Sequence, residues 1–325
     1  MPQLGFVLQW VVKALAVVLA ITILNFFLIR LAPGDPAVVM AGEAGAADQQ
    51  FLDQVRRDFG LDQPLAVQLA TYVKNVPTLD LGQSFRTGRP VADMIFERLP
   101  ATLLLTGTAY VFALIVGPLL GAIAAMRPRS VFDSLLMVVA LVFYATPIFW
   151  VGLLLILVFS VQLGWLPPFG MQSMIPVKGA LASTLDVIRH LILPAVTLGL
   201  FYIAVYVRLT RASMLETATL DYVKTARAKG LPEWRVATAH ILRTALIPII
   251  TFAGLQAGHL VGGAIVVETV FAWPGIGRLA FDALFQRDYN LLLGVFLISA
   301  LMVVFFNMVT DIVLRIADPR IAGRA

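Results

Sequence analysis

Few residues in this chain have the types and spacing that chemistry needs. There is no cysteine, which removes disulfides, thiolate metal sites and cysteine nucleophiles together. The three histidines, His190, His240 and His259, lie far apart and form no HExxH or similar ligand pair. No GxxxxGK[ST] occurs, so the chain has no phosphate-cradling loop of its own. No catalytic triad is visible. The sequence therefore assigns no catalytic, cofactor-binding or metal-binding residue. What remains are polar residues inside apolar stretches: Asn25, Gln256, His259, Glu268 and Asn307. In a membrane such residues are costly, and they are functional candidates by default. Asn25 and Asn307 are expected to hydrogen-bond between helices. Glu268 is expected at the wet outer end of its span. Gln256 and His259 are the best candidates for a pathway contact.

The elements that would carry these residues are membrane spans. Of the 325 residues 60% are hydrophobic and 13% charged, and the mean hydropathy is +0.90. Soluble domains sit near half apolar and a quarter charged, so a soluble enzyme and a disordered chain are both excluded. Runs free of Asp, Glu, Lys and Arg cover 14–29, 101–126, 134–163, 191–207, 245–267 and 289–310. A helix needs about 20 residues to cross a bilayer. The runs show no strict alternation, so six helices are predicted rather than barrel strands. The first run is also compatible with a cleaved leader, but Arg30 and the stiff Pro33-Gly34-Asp35-Pro36 separate it from the small residues at 41–47. A retained first span is the working choice.

Six spans put both termini on one side. With the termini cytoplasmic, the inside segments hold 13 basic residues against six acids, and the outside segments 11 against 13. The positive-inside rule selects that orientation. It divides the chain into an N-terminal segment with the first span (1–31), an external loop with short helices (32–100), a five-helix core (101–316) containing a cytoplasmic loop at 208–244, and a cytoplasmic tail (317–325). In the external loop, Asp48 can cap a helix with Phe51, Leu52, Val55 and Phe59 on one face. Pro64 can open a second helix with Leu65, Leu69, Tyr72 and Val73 inward. Pro90 can open a third, at the interface, over 91–99. The loop reads equally as a cap on the span ends and as a docking surface for an external partner.

The cytoplasmic loop is the most informative stretch. A helix is predicted up to Lys229, with Tyr222, Val223 and Ala226 close on one side. Gly230 follows where a left-handed cap is favoured, and Pro232 can start the next helix, which carries Trp234, Val236, Ile241 and Leu242. Two short helices thus meet at a Gly-Leu-Pro corner, a compact knob suited to a groove on a rigid partner. An amphipathic loop with ordinary positive-inside charge also accounts for the pattern. Gly254, Gly258 and Gly262 recur every four residues, a ladder that lets a neighbouring helix approach. Gly117-x-x-x-Gly121 is a weaker signal of the same kind.

Residues 221–231, Asp-Tyr-Val-Lys-Thr-Ala-Arg-Ala-Lys-Gly-Leu, resemble the EAA loop of permease subunits in binding-protein-dependent ABC importers, in the variant of the dipeptide/oligopeptide/nickel permease family. Arg30-Leu-Ala-Pro-Gly-Asp-Pro-Ala37 is similar to that family's opening motif. So are Val267-Glu-Thr-Val-Phe-Ala-Trp-Pro-Gly-Ile-Gly277 and Asp318-Pro-Arg-Ile321 to its later ones. The long outer loop matches the first, B-type permease. Against the general pattern E-A-A-x3-G-x9-I-x-L-P, Gly230, Ala226 and Leu242 match, while Lys224, Thr225, His240 and Arg243 depart from it.

The resemblance implies a type I importer permease (MetI-like) fold: an all-α membrane protein with six transmembrane helices and a partly helical external loop. It implies that Asp221, Tyr222, Thr225, Ala226, Arg227, Ala228, Lys229, Gly230 and Leu231 couple the chain to an ATPase. Gly254, Gln256, Gly258, His259 and Gly262 remain pathway or packing candidates. The implied partners are a second homologous permease, two ABC ATPases that hold ATP and Mg, an external substrate-binding protein and the lipid bilayer, with no nucleic acid. The implied setting is the bacterial inner membrane. The implied cargo is short peptides or a similarly sized solute, and the chain itself is not an enzyme. A secondary transporter is the other reading, but it wants acids near the midplane and inverted repeats. No acid lies inside any of the six runs, and no internal repeat is visible.

Overall fold

The computed structural model describes residues 2–30, 49–58, 62–175, 178–257 and 264–317. These residues are mostly helical, and the nearest thing to a strand among them is an isolated bridge between Gln83 and Pro90. Four helices are long and apolar enough to cross a bilayer: Val91–Met126, Ala180–Thr217, Glu233–Gln256 and Tyr289–Thr310. The expected first span lies within α1 (Pro2–Arg30), a helix of 29 residues. The expected third span is not one straight helix. Val131–Ala145 and Ile148–Gln162 meet at 107°. Pro147 lacks an N–H and pushes the residue before it out of the helical region. Thr146 accordingly sits at φ −81°, ψ 134°, and its amide and hydroxyl both donate to the Val142 carbonyl.

The chain falls into two compact units, Met1–Pro100 with Gly275–Val304, and Ala101–Pro274 with Phe305–Ala325. In the first, α2 (Gln49–Asp58) and α3 (Leu65–Asn75) occupy the predicted external loop. Leu52 is buried, and Tyr72 meets Phe26 of α1 at 6.1 Å between ring centroids. Leu65, expected inward, is exposed: it stands at the first residue after Pro64, before the helix has turned its apolar face inward. The predicted cap Asp48, the face residue Phe59 and the expected stop at Gly60 lie outside the described residues. The loop then tightens into a turn. Ser84 N–H donates to Arg89 O, and Gly88 N–H to Ser84 O. Ser84 Oγ and the Phe85 amide both donate to the carboxylate of Asp288, which also receives the Leu291 amide at the start of the last helix.

The predicted interfacial helix over 91–99 is not separate. It is the beginning of α4 (Val91–Met126), 36 residues long. At 1.5 Å per residue this is roughly 54 Å, against a hydrocarbon core of about 30 Å, so α4 projects beyond the bilayer. The second unit's core gathers α4, α5 (Val131–Ala145), α6 (Ile148–Leu155) and α7 (Ala180–Thr217) around Leu105, Leu198, Tyr206, Ile249, Val267 and Trp273. Helices α4 and α7 approach one another closely. A Cβ on Gly117 would lie 2.5 Å from Tyr206 Cβ, and one on Gly121 2.6 Å from the Val207 carbonyl.

Candidate functional site

The cytoplasmic loop forms the predicted corner. Helix α8 runs Asp221–Ala228, ending one residue before the expected Lys229. Gly230 takes φ +74°, and its amide donates to Arg227 O at 2.9 Å. Pro232 precedes the next helical residues, α9 (Glu233–Arg235), which pass through a π segment (Val236–Leu242) into α10 (Arg243–Ala257). The second arm of the corner and the expected fifth span are therefore one continuous helical path.

The corner is rooted rather than loose. Val223, Ala226, Val236, Ile241 and Ala245 form a buried cluster with Ala122 of α4 and Met214 of α7, and Leu231 packs against it. Tyr222 is anchored through its hydroxyl, which donates to Thr244 Oγ1 at 2.9 Å. Arg227 closes the bend. It donates to Glu233 at 2.6 and 3.2 Å and to the Ala218 carbonyl at 3.3 Å. The Glu233 carboxylate, as hydrogen-bond partner and as charge, raises the Arg227 pKa above its ordinary value. Of the residues singled out from sequence, Ala226 is turned into the root, and Leu231 is half-buried. Asp221, Thr225, Arg227, Ala228, Lys229 and Gly230 lie on the open face, with Lys224 paired to Asp221 at 2.8 Å. Trp234, on the helix that Pro232 opens, is 63% exposed beside them. It is the large apolar side chain this knob presents.

The pathway candidates divide. Gly258, His259 and Gly262 lie outside the described residues. Gly254 is pressed against Thr310 of the last helix (Tyr289–Ala317) so closely that a Cβ would overlap the threonine side chain. Gln256, in the last turn of α10, is half-buried. The interhelical hydrogen bonds expected of Asn25 and Asn307 do not appear among the described residues. Asn25 is buried with its Nδ2 unpartnered, and Asn307 is exposed.

Glu268 corrects another expectation. It is fully buried rather than wet, and it accepts from Thr102 Oγ1 at 2.7 Å. It belongs to α11 (Ile265–Val270), which is followed by a turn in which Trp273 donates through its amide to Glu268 O and through its indole to Ala101 O, both at 2.8 Å. The missed signal was the aromatic-proline turn at 271–274, which returns the chain onto the start of the core. A second missed element is the pair Asp133–Arg211. Both were counted only as loop charges, yet Asp133 is 2% exposed and receives Arg211 at 2.5 and 2.8 Å and the Arg129 amide at 2.9 Å. The pair fastens the 127–130 turn to the last two turns of α7. Among the described residues no group of three or more His, Asp or Glu could hold a metal.

The chain that forms this knob and its long apolar helices is similar to known proteins. The family described as "Binding-protein-dependent transport system inner membrane component" matches residues 117–323, and its N-terminal counterpart matches 3–106. The di/tripeptide transport system permease protein DppB of Pseudomonas aeruginosa is 45% identical over 315 residues, covering 93% of this chain and 94% of its own. The dipeptide transport system permease protein DppB of Escherichia coli K12 is 39% identical, covering 97% and 98%. Among solved structures, the inward-facing MetNI methionine ABC transporter superposes with a TM-score of 0.56 at 17% identity, over 69% of this chain and 96% of that one, which shows a shared MetI-like fold. This chain belongs to the binding-protein-dependent inner membrane components: it is a multi-pass membrane permease subunit of an ABC importer and not an enzyme.

Proposed function

We propose that this permease moves di- and tripeptides or solutes of similar size inward, and that its 221–235 corner docks in a groove of a partner ATPase. The observation that carries the reading is the corner itself, an exposed knob with Trp234 and Gly230 on it, rooted through Val223, Ala226 and Val236 in the ends of two long helices. Movement imposed on such a knob is passed to the helices rather than absorbed by a loop. The names of the relatives supply the cargo class. ATP and Mg belong to two partner ATPases in this reading. A second homologous permease completes the pathway, and an external binding protein delivers the peptide against the 32–100 loop. Both termini lie in the cytoplasm of a bacterial cell, at the inner membrane.

Cysteine accessibility tests the orientation cleanly, because the chain has no cysteine of its own. Ser84 is unsuitable as a reporter because it is buried against Asp288. Thr87→Cys and Lys224→Cys place thiols at exposed positions. An impermeant maleimide added to intact cells should label the first and spare the second. The reverse pattern would overturn import through a cytoplasmic corner.

The Arg227–Glu233 bridge gives a graded test of the corner's shape. Both partners are largely exposed, so their pairing contributes only about 1 kcal/mol. Arg227→Glu, which opposes two carboxylates across the bend, should lower ATPase recovery roughly fivefold in a pull-down. The double variant Arg227→Glu/Glu233→Arg should recover most of it. No recovery in the double variant would make Arg227 a direct contact instead of an internal brace.

A further inference from the structure

Helix α5, the first half of the bent pair, has little burial to hold it in place. Only Asp133 and Ala140 of it are buried, and Leu135, Val138 and Val142 are all more than half exposed. Apolar contact fixes such a helix weakly in a bilayer, because lipid tails are as apolar as a neighbouring helix and give the two no hydrophobic drive to meet. To keep its place α5 needs specific contacts.

It has them at both ends, and both are made with α7. At the cytoplasmic end the Asp133 carboxylate receives Arg211 Nε and Nη2 at 2.5 and 2.8 Å. The same carboxylate accepts the Arg129 amide, and the Asp133 amide donates to Ser130 Oγ at 3.2 Å, so the ion pair is built into the helix's own cap. At the other end, just before the bend at Pro147, Tyr144 stacks on Phe201 with ring centroids 5.6 Å and planes 16° apart. The guanidinium carbon of Arg208 lies 5.6 Å from the centre of the same tyrosine ring. Asp133 to Tyr144 and Phe201 to Arg211 span roughly 16 and 15 Å at 1.5 Å per residue, so the two contacts match and fix the register of the helices. Within one turn of Arg211, α7 is joined to the corner. Met214 belongs to the buried cluster at its root, and Ser213 Oγ donates to the Ala245 carbonyl of α10 at 3.2 Å.

We propose that Asp133, Arg211 and Tyr144 are positioning residues for transport, which rivet α5 to α7 so that both helices are carried as one body with the cytoplasmic corner. Displacement of the corner passes into α7, reaches α5 through the rivets, and arrives at the Pro147 bend and α6, which packs at Gly152 against Phe271 and Val270. The inference rests on the corner docking proposed above and adds to it which helix follows the corner.

The test uses the complete importer in liposomes, with spin labels on Val138→Cys of α5 and Ile192→Cys of α7, both exposed positions. In the otherwise native chain the label separation should be narrow, and the same before and after trapping with ATP and vanadate. Asp133→Asn keeps an acceptor for the Arg129 amide and removes the charge, while Arg211, whose side chain is 26% exposed, can turn to water. It should broaden the separation and leave ATPase recovery in a pull-down native. It should also raise the ATP hydrolysed per tripeptide moved roughly three- to tenfold, the factor one interhelical polar contact carries in a membrane. Tyr144→Leu, at a side chain that is 47% exposed and leaves little cavity, should change the separation and the ratio in the same direction. A role in folding alone would lower abundance but leave both native in the importers that assemble, and that result would overturn the proposal. So would a separation that changes on trapping in the otherwise native chain. The distances do not depend on the cargo: the expected distributions with no peptide uptake by the native importer would remove the peptide reading and leave the rivets standing.

Discussion

Gly230→Val should leave the chain in the membrane at near-native abundance and abolish both peptide uptake and recovery of the ATPase. Nothing lies within 4 Å of a Cβ placed on Gly230, so the effect is one of backbone and not of crowding. The residue sits at φ +74°, a region that β-branched side chains scarcely enter, at a cost of roughly 1–3 kcal/mol. The corner relieves that strain by rotating, which carries Lys229, Leu231 and Trp234 away from their places on the knob. The membrane helices are not involved, so insertion is spared. Gly230→Asn is the control, because asparagine tolerates the left-handed region, and it should retain most of the uptake. Equal loss in both variants would point to a need for bare backbone at the partner surface, and normal uptake in Gly230→Val would show the corner to be an ordinary loop.

Gly121→Leu should have the opposite profile, failing at assembly before any question of coupling arises. A Cβ at Gly121 stands 2.6 Å from the Val207 carbonyl and 2.8 Å from Thr210 Cβ, and backbone has no rotamer with which to yield. Overpacking of this kind costs about 3 kcal/mol or more, and in a membrane the close approach it removes is itself what holds two helices together. Abundance in the membrane and the melting temperature in detergent should both fall sharply. Gly107→Ala, on the same helix but with nothing within 4 Å of the added carbon, should change neither. Native stability in Gly121→Leu would mean that α4 and α7 do not meet there.

These two glycines show what the sequence makes legible. Gly230 was readable because its meaning is local: a left-handed cap followed two residues later by proline needs no knowledge of the rest of the chain. The helical, membrane-embedded character was readable from the charge-free runs for the same reason. Gly117 and Gly121 were ranked below the ladder that begins at Gly254, because spacing alone does not say which helix comes close. Proline inside an apolar run was the clearest oversight. Hydropathy over 134–163 is uninterrupted, yet Pro147 breaks the backbone in its middle and turns it by 107°. Glu268 and the Asp133–Arg211 pair were misjudged because a charge near a span end looks solvated until its partner, 166 residues away at Thr102 or 78 at Arg211, is brought to it by the fold.

The central claim is that this chain is a passive pathway driven through its cytoplasmic corner by separate ATPases. The most direct measurement is uptake of a labelled tripeptide into liposomes containing this chain, with and without its co-purified permease, ATPase and binding-protein partners, ATP and an imposed ion gradient being supplied separately. The account predicts uptake only when the partners and ATP are all present, and none with the gradient alone. Gradient-driven uptake by this chain in the absence of an ATPase would contradict it.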